Sequence, residues 1–213
     1  MNFKYYRTDR LIIFILVLSV VYNYVSGFLE DFIKEYSFFQ QIYSYIGMFS
    51  TVTLIMTTII FIDKSGWRYL FFKWLIDIPN LNGRYNGKLI SSYQSSPGVF
   101  VNKLFVMEIK QTASQLHIFS YFGDINNNSS TSSSVSVSEQ ITSEANNNST
   151  NIFYIFSNET SPLLNLNNHA GTAKLKYFKD IKKLEGEYYN QRGNTGKIEV
   201  IFEQKKLLGR LNR

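Results

Sequence analysis

The sequence predicts an α-helical membrane anchor of two spans followed by an all-β domain, and three features carry that reading. Apolar residues are concentrated between positions 11 and 62 instead of being spread along the chain. Beyond Pro79 they recur with period two, the mark of half-buried strands. Clusters of turn-forming residues then separate the alternating segments.

The first predicted span runs from Leu11 to Phe28, LIIFILVLSVVYNYVSGF, and carries no charge. At about 1.5 Å per residue its length approaches that of the hydrocarbon core. A basic start is also found in secretory leaders, but this apolar run is long and no small-x-small cleavage site follows it. The second predicted span, Ile42 to Ile62, is equally uncharged. Lys4, Arg7 and Arg10 precede the first span, and Lys64, Arg68 and Lys73 follow the second. The connecting loop sets Glu30, Asp31 and Glu35 against Lys34. The positive-inside rule therefore predicts a multi-pass protein with both termini in the cytoplasm. The absence of cysteine agrees with that compartment and excludes disulfides, thiolate metal sites and cysteine nucleophiles. Tyr22, Tyr24, Tyr43 and Tyr45 fall near the outer ends, where interfacial aromatics belong. Ser and Thr residues within the spans are expected to bond back to their own helices. Gly47, Ser50, Thr51 and Thr57 also form a possible small-residue face for helix association.

Residues 1–62 thus form the anchor, 63–78 a connector and 79–213 the β domain. In the connector, Trp67, Leu70, Phe71, Trp74, Leu75 and Ile78 recur at helical spacing beside Arg68 and Lys73. This predicts a short interfacial helix, with its indoles at headgroup level, ended by Pro79.

Eight strands are expected in the domain: 85–93, 100–111, 115–122, 133–141, 152–158, 171–178, 184–191 and 196–204. Eight short strands without intervening helices fit a sandwich or an antiparallel barrel. A closed barrel of eight strands holds side chains or one small ligand. The Asn/Ser/Thr-rich stretches 126–134 and 146–151 read largely as surface loop. In the run Thr131–Ser138, however, Val135 and Val137 alternate with serines, so a strand there turns a row of hydroxyls to one face.

No catalytic signature is present: no Walker loop, zinc motif or nucleophile elbow. Two histidines, His117 and His169, make a histidine-rich metal site implausible. The expectation is a protein without enzymatic activity, metal or resident cofactor. The net charge of +6 suits an anionic membrane surface or a phosphate ligand without choosing between them. Two segments, Leu81-Asn-Gly-Arg-Tyr-Asn-Gly-Lys and Leu184-Glu-Gly-Glu-Tyr-Tyr-Asn-Gln-Arg-Gly-Asn-Thr-Gly-Lys, place a glycine before a tyrosine-bearing strand. Tyrosine offers a stacking face and a hydroxyl, and Arg192 a planar fork for phosphate. The same residues read equally as barrel bends at Gly83 and Gly186, core tyrosines at 85 and 188, and an exposed arginine.

Taken together, the two helices, the Trp-containing connector, IPNLNGRYNG, the Ser/Thr-rich strand and LEGEYYNQRGNTGKIEV resemble a known family. It comprises the two-transmembrane, β-strand-rich effectors of bacterial anti-phage CBASS operons, whose barrel sensor is a minimal relative of the STING ligand-binding fold. The resemblance implies an eight-stranded antiparallel β-barrel that binds a cyclic di- or trinucleotide made by a partner CD-NTase. No stable complex with that enzyme and no nucleic-acid polymer are implied. It further implies homo-oligomerisation on activation and disruption of the inner-membrane bilayer, killing the infected cell. The candidate ligand-binding residues are Tyr85, Ser132, Ser134, Tyr188, Asn190, Arg192 and Thr195. Two other readings of the barrel remain: a tethered lipid or metabolite carrier, with an apolar interior, and a ligand-free assembly scaffold, with a filled one.

Overall fold

The computed structural model describes residues 2–34, 51–125, 129–144, 149–160 and 168–211. They form two compact units, one of Met1–Ile78 with Thr112–Gln115, the other of Pro79–Gln111 with Leu116–Arg213.

In the first unit, helix α1 spans Thr8–Lys34 and helix α2 spans Thr51–Lys64. The segment Thr8–Phe28 is long and apolar enough to cross a membrane. Its Ile12, Ile13, Leu16, Val17, Val20 and Val21 are exposed rather than packed within the protein. Of the second predicted span only the part within α2 is described; residues 42–50, with Gly47 and Ser50 among them, lie outside the described residues. Thr57 and Thr58 donate their hydroxyls to the carbonyls of Thr53 and Leu54, as Ser/Thr back-bonding predicts. Tyr22 and Thr58 share a side-chain hydrogen bond between the helices.

The expected connector helix over 63–78 does not form. Beyond α2 the chain makes two single 3₁₀ turns, Gly66–Arg68 and Leu70–Phe72, separated by Tyr69 in an extended conformation (φ −78°, ψ 145°). Tertiary packing overrides the helical periodicity. Trp67, Leu75 and Ile76 are buried with Tyr6, Leu11 and Ile62, and Ile76 pairs with Tyr6 as an isolated antiparallel bridge. Trp67 is therefore a core residue, not an interfacial anchor. Tyr69, Leu70 and Phe71 are exposed.

The second unit is a closed antiparallel barrel of eight strands in sequence order. They are β1 Gly83–Ser96, β2 Val99–Gln111, β3 Leu116–Asp124, β4 Ser130–Glu144, β5 Ser149–Thr160, β6 His169–Phe178, β7 Lys183–Asn190 and β8 Thr195–Gln204. Closure through β1–β8 pairing removes every sheet edge. Strand β4 begins at Ser130, inside the stretch expected as loop, because Ser132, Ser133 and Ser134 pair with both β3 and β5. A bulge at Val137 interrupts β4. There the Ser136 hydroxyl accepts the Ile118 N–H at 2.8 Å, in place of a ladder carbonyl.

Tight curvature needs close strand approach, and Gly186 supplies it on β7. A β-carbon there would lie 1.9 Å from the Lys174 carbonyl oxygen. Gly83 opens β1 at φ +139°, with Phe202 against it. The bend reading of these two glycines thus has a geometric basis.

One end of the interior is a dry floor of buried Tyr85, Met107, Ile109, Ile118, Ile152, Leu175, Leu184 and Val200. On the outer face of the same end, the C-terminal segment is clasped to the barrel. Arg84, side chain 2% exposed, donates to Glu203 at 2.9 Å and Glu108 at 2.8 Å. It also donates to the carbonyls of Arg210 (2.7 Å) and Leu211. Glu108 in turn accepts the backbone N–H groups of Leu208 (2.7 Å) and Gly209 (3.0 Å). The Leu211 side chain fills the space that the missing β-carbon of Gly123 leaves.

Candidate functional site

Strand alternation fixes which residues can reach the barrel interior. On β4 Val135 and Val137 are exposed, while Ser134 and Ser136 are buried. This inverts the usual placement of apolar and polar residues, which is informative because it spends serines on the interior. The same parity brings Asn158 inward on β5 behind Tyr154 and Phe156, and Lys103 inward on β2 ahead of Phe105.

At the end opposite the floor, beside the β1–β2 and β7–β8 turns, the interior opens into a cavity of about 710 Å³. That lies within the ~300–1,000 Å³ of small-molecule sites. Its wall is mixed. Leu89, Phe105, Phe122, Phe156 and Ile198 are apolar; Ser91, Ser120, Ser132, Ser134, Asn158 and Asn194 are polar; Lys103, His169 and Arg192 are basic or titratable.

Register orders part of that wall. Ser120 on β3 faces Ser134 on β4, Ser134 faces Asn158 on β5, and Asn158 faces His169 on β6. These four side chains form one row across four strands, spaced by the ~4.8 Å between strands. Tyr154, two residue pairs below Asn158 on β5, lies beside Ser120, and its phenol is held protonated well above the ordinary range by burial. Across the cavity Tyr188 lies beside Ser91, its phenol likewise pushed up by burial. Lys103 donates to the Thr131 hydroxyl at 3.2 Å. Burial lowers its ammonium below the usual lysine value, against the opposing pull of Asp124.

Of the residues expected from sequence, Ser132, Ser134, Tyr188, Asn190 and Arg192 lie together on this wall. Tyr85 and Thr195 do not. Tyr85 is 1% exposed in the floor, its hydroxyl donating to the Leu81 carbonyl at 3.0 Å and its ring against Phe202. Tyr85 faces inward but lies at the filled end, and a strand sequence does not say which end is filled. Thr195 has the opposite parity to Gly196 and Ile198 and is exposed; its N–H donates to the Ser92 hydroxyl. Asn190 is on the wall, but its side-chain oxygen accepts the N–H groups of Arg192 (3.1 Å) and Asn194 (3.0 Å). Its visible work is to order the turn that carries Arg192 at the mouth.

Sequence reasoning missed Lys103, Asn158, His169 and Tyr154. The signal was parity: Lys103 shares it with Phe105, and Asn158 with Ile152, Tyr154 and Phe156. A polar residue in register with an apolar inward series is a candidate wall residue.

The arrangement can take a flat, polar, anionic molecule of intermediate size. Hydroxyls and an amide offer edges, aromatic rings offer faces, and cations on β2 and at the β7–β8 turn offer charge. Such a set suits a nucleotide better than an aliphatic chain. No curated protein matches the chain significantly. The family model described as Cap15, cyclic dinucleotide receptor domain, matches residues 76–201, more than half of the chain and most of the barrel. The chain belongs to the Cap15 cyclic dinucleotide receptor family.

Proposed function

We propose that this protein is a membrane-anchored receptor and cell-death effector, without enzymatic activity, of a CBASS anti-phage system. A cyclic dinucleotide enters the mouth of the barrel, and its phosphates meet Lys103 and Arg192. The chain then self-associates, and the N-terminal helices breach the bacterial inner membrane. The ligand class rests on the family. The observation that carries the residue-level reading is the cavity itself, whose wall joins an inward serine–asparagine–histidine row to Lys103. A carrier for apolar molecules gains nothing from such a wall, and a scaffold gains nothing from the empty volume.

The effector role draws on the span Thr8–Phe28 and on the exposed apolar side chains along α1. Binding to an assembly-competent state shifts the population toward it by mass action. The two-span topology with cytoplasmic termini is part of this proposal and follows the charge distribution around the predicted spans. The test is dye release from vesicles of bacterial inner-membrane lipid that contain the full chain. Addition of a binding cyclic dinucleotide is expected to release dye, and Lys103→Met to suppress the release. Saturated binding with intact vesicles would remove the effector half of the proposal.

A further inference from the structure

Among the described residues, the wall of the cavity includes a buried amide oxygen without a hydrogen-bond partner. Asn158 is 7% exposed and lines the cavity. Its Nδ2 lies 3.4 Å from Nε2 of His169, its register neighbour on β6. Its Oδ1 is buried and has no hydrogen-bond partner among the described residues. Buried carbonyl oxygens are rarely left so, because the group has given up water without replacement. Neighbouring wall groups are engaged elsewhere: the Ser91 hydroxyl with the Tyr93 N–H, Lys103 with the Thr131 hydroxyl, and the Asn190 oxygen with its own turn.

We infer that Asn158 is the base-reading residue of the site, its Oδ1 accepting an N–H from the edge of a nucleobase. This rests on the cyclic dinucleotide reading above and adds to it the group that recognises the base rather than the phosphate. The position suits the role. Ser134 flanks Asn158 on β4 and His169 on β6, so an edge laid along the row meets an acceptor between two further polar groups. Phe122, Tyr154 and Phe156 line the same cavity and offer ring faces for the base plane. Amides read bases by this chemistry in nucleic-acid recognition, where a well-placed contact discriminates strongly. The requirement placed on the ligand is specific: a base whose inward edge carries a hydrogen-bond donor. A base methylated at every edge N–H presents none.

The test is a double-mutant cycle on the full chain in detergent. Symmetric cyclic dinucleotides of adenine, guanine, uracil and cytosine are titrated, each beside its counterpart methylated at every base N–H. For the member that binds wild-type protein, methylation is expected to weaken binding about 10- to 100-fold. In Asn158→Ala that penalty is expected to fall to within about 3-fold, the two effects being coupled. Asn158→Asp keeps an acceptor oxygen and is expected to retain the discrimination. It serves as the informative variant if Asn158→Ala does not fold by circular dichroism. An undiminished methylation penalty in Asn158→Ala, or its loss in Asn158→Asp, overturns the assignment while leaving the receptor reading intact. Failure of wild-type protein to bind any unmodified member overturns the receptor reading, and this assignment with it.

Discussion

Replacing Arg84 with alanine is expected to be the most destabilising single change in the barrel. The guanidinium makes four hydrogen bonds, to Glu203, Glu108 and the carbonyls of Arg210 and Leu211. Removing it leaves Glu108, whose side chain is 2% exposed, as a buried carboxylate without its cation. It also orphans two tail carbonyls. Breaking a buried pair from one side costs about 3–5 kcal/mol. Domains have a net stability of about 5–15 kcal/mol, so roughly a fifth or more of it is at stake. The corresponding drop in melting temperature is roughly 10–20 °C. The assay is a far-UV circular dichroism melt of the purified full chain in detergent. Arg84→Lys should fall between, because an ammonium keeps the charge but not the fork that serves four acceptors. Lys183→Ala, which removes partly exposed surface pairs with Glu185 and Glu199, is the control and should shift the melt far less. An Arg84→Ala melt within about 3 °C of wild type would refute the view that the clasp stabilises the barrel.

Three further outcomes follow from the geometry. Gly186→Ala forces a β-carbon against the Lys174 carbonyl and should cost at least about 1–3 kcal/mol in the same melts. Arg192→Ala should weaken binding of a cyclic dinucleotide while leaving the melt unchanged, because the Arg192 backbone, not its side chain, makes the turn contact to Asn190; an unaltered affinity by calorimetry would exclude the residue from the site. Lys103 should make binding depend on pH. Its folded-state pKa is lowered, so the free receptor loses this cation at a lower pH than an ordinary lysine would. An anionic ligand favours the protonated form, so affinity should fall as pH rises through that lowered value. In Lys103→Met this alkaline decline should disappear.

The barrel was legible because strands announce themselves by parity. KIEVIFEQ and LHIFSYF alternate cleanly, and all eight expected strands occur within a few residues of their expected bounds. The Ser/Val run of β4 was legible for the same reason, once valines rather than serines are given to the solvent. Depth was not legible. Tyr85 and Tyr188 both point inward, yet one is sealed in the floor and the other lines the cavity. That difference arises from stagger around the closed barrel, which no single strand encodes. The Arg84 clasp was also hidden, since its partners are 24, 119, 126 and 127 positions away in sequence. The connector shows the reverse failure: its helical periodicity was real, but the side chains are recruited by Tyr6, Leu11 and Ile62 into a small core that two 3₁₀ turns satisfy better.

On the proposed function, the wall bearing Ser134, Asn158 and Lys103 receives a cyclic dinucleotide. Isothermal titration of the full chain in detergent with a panel of cyclic dinucleotides is the decisive experiment. The predicted result is saturable binding of at least one member, lost when Ser134→Trp fills the cavity and retained in Thr195→Ala outside it. Binding unaffected by Ser134→Trp, or no binding by any member, would contradict the claim.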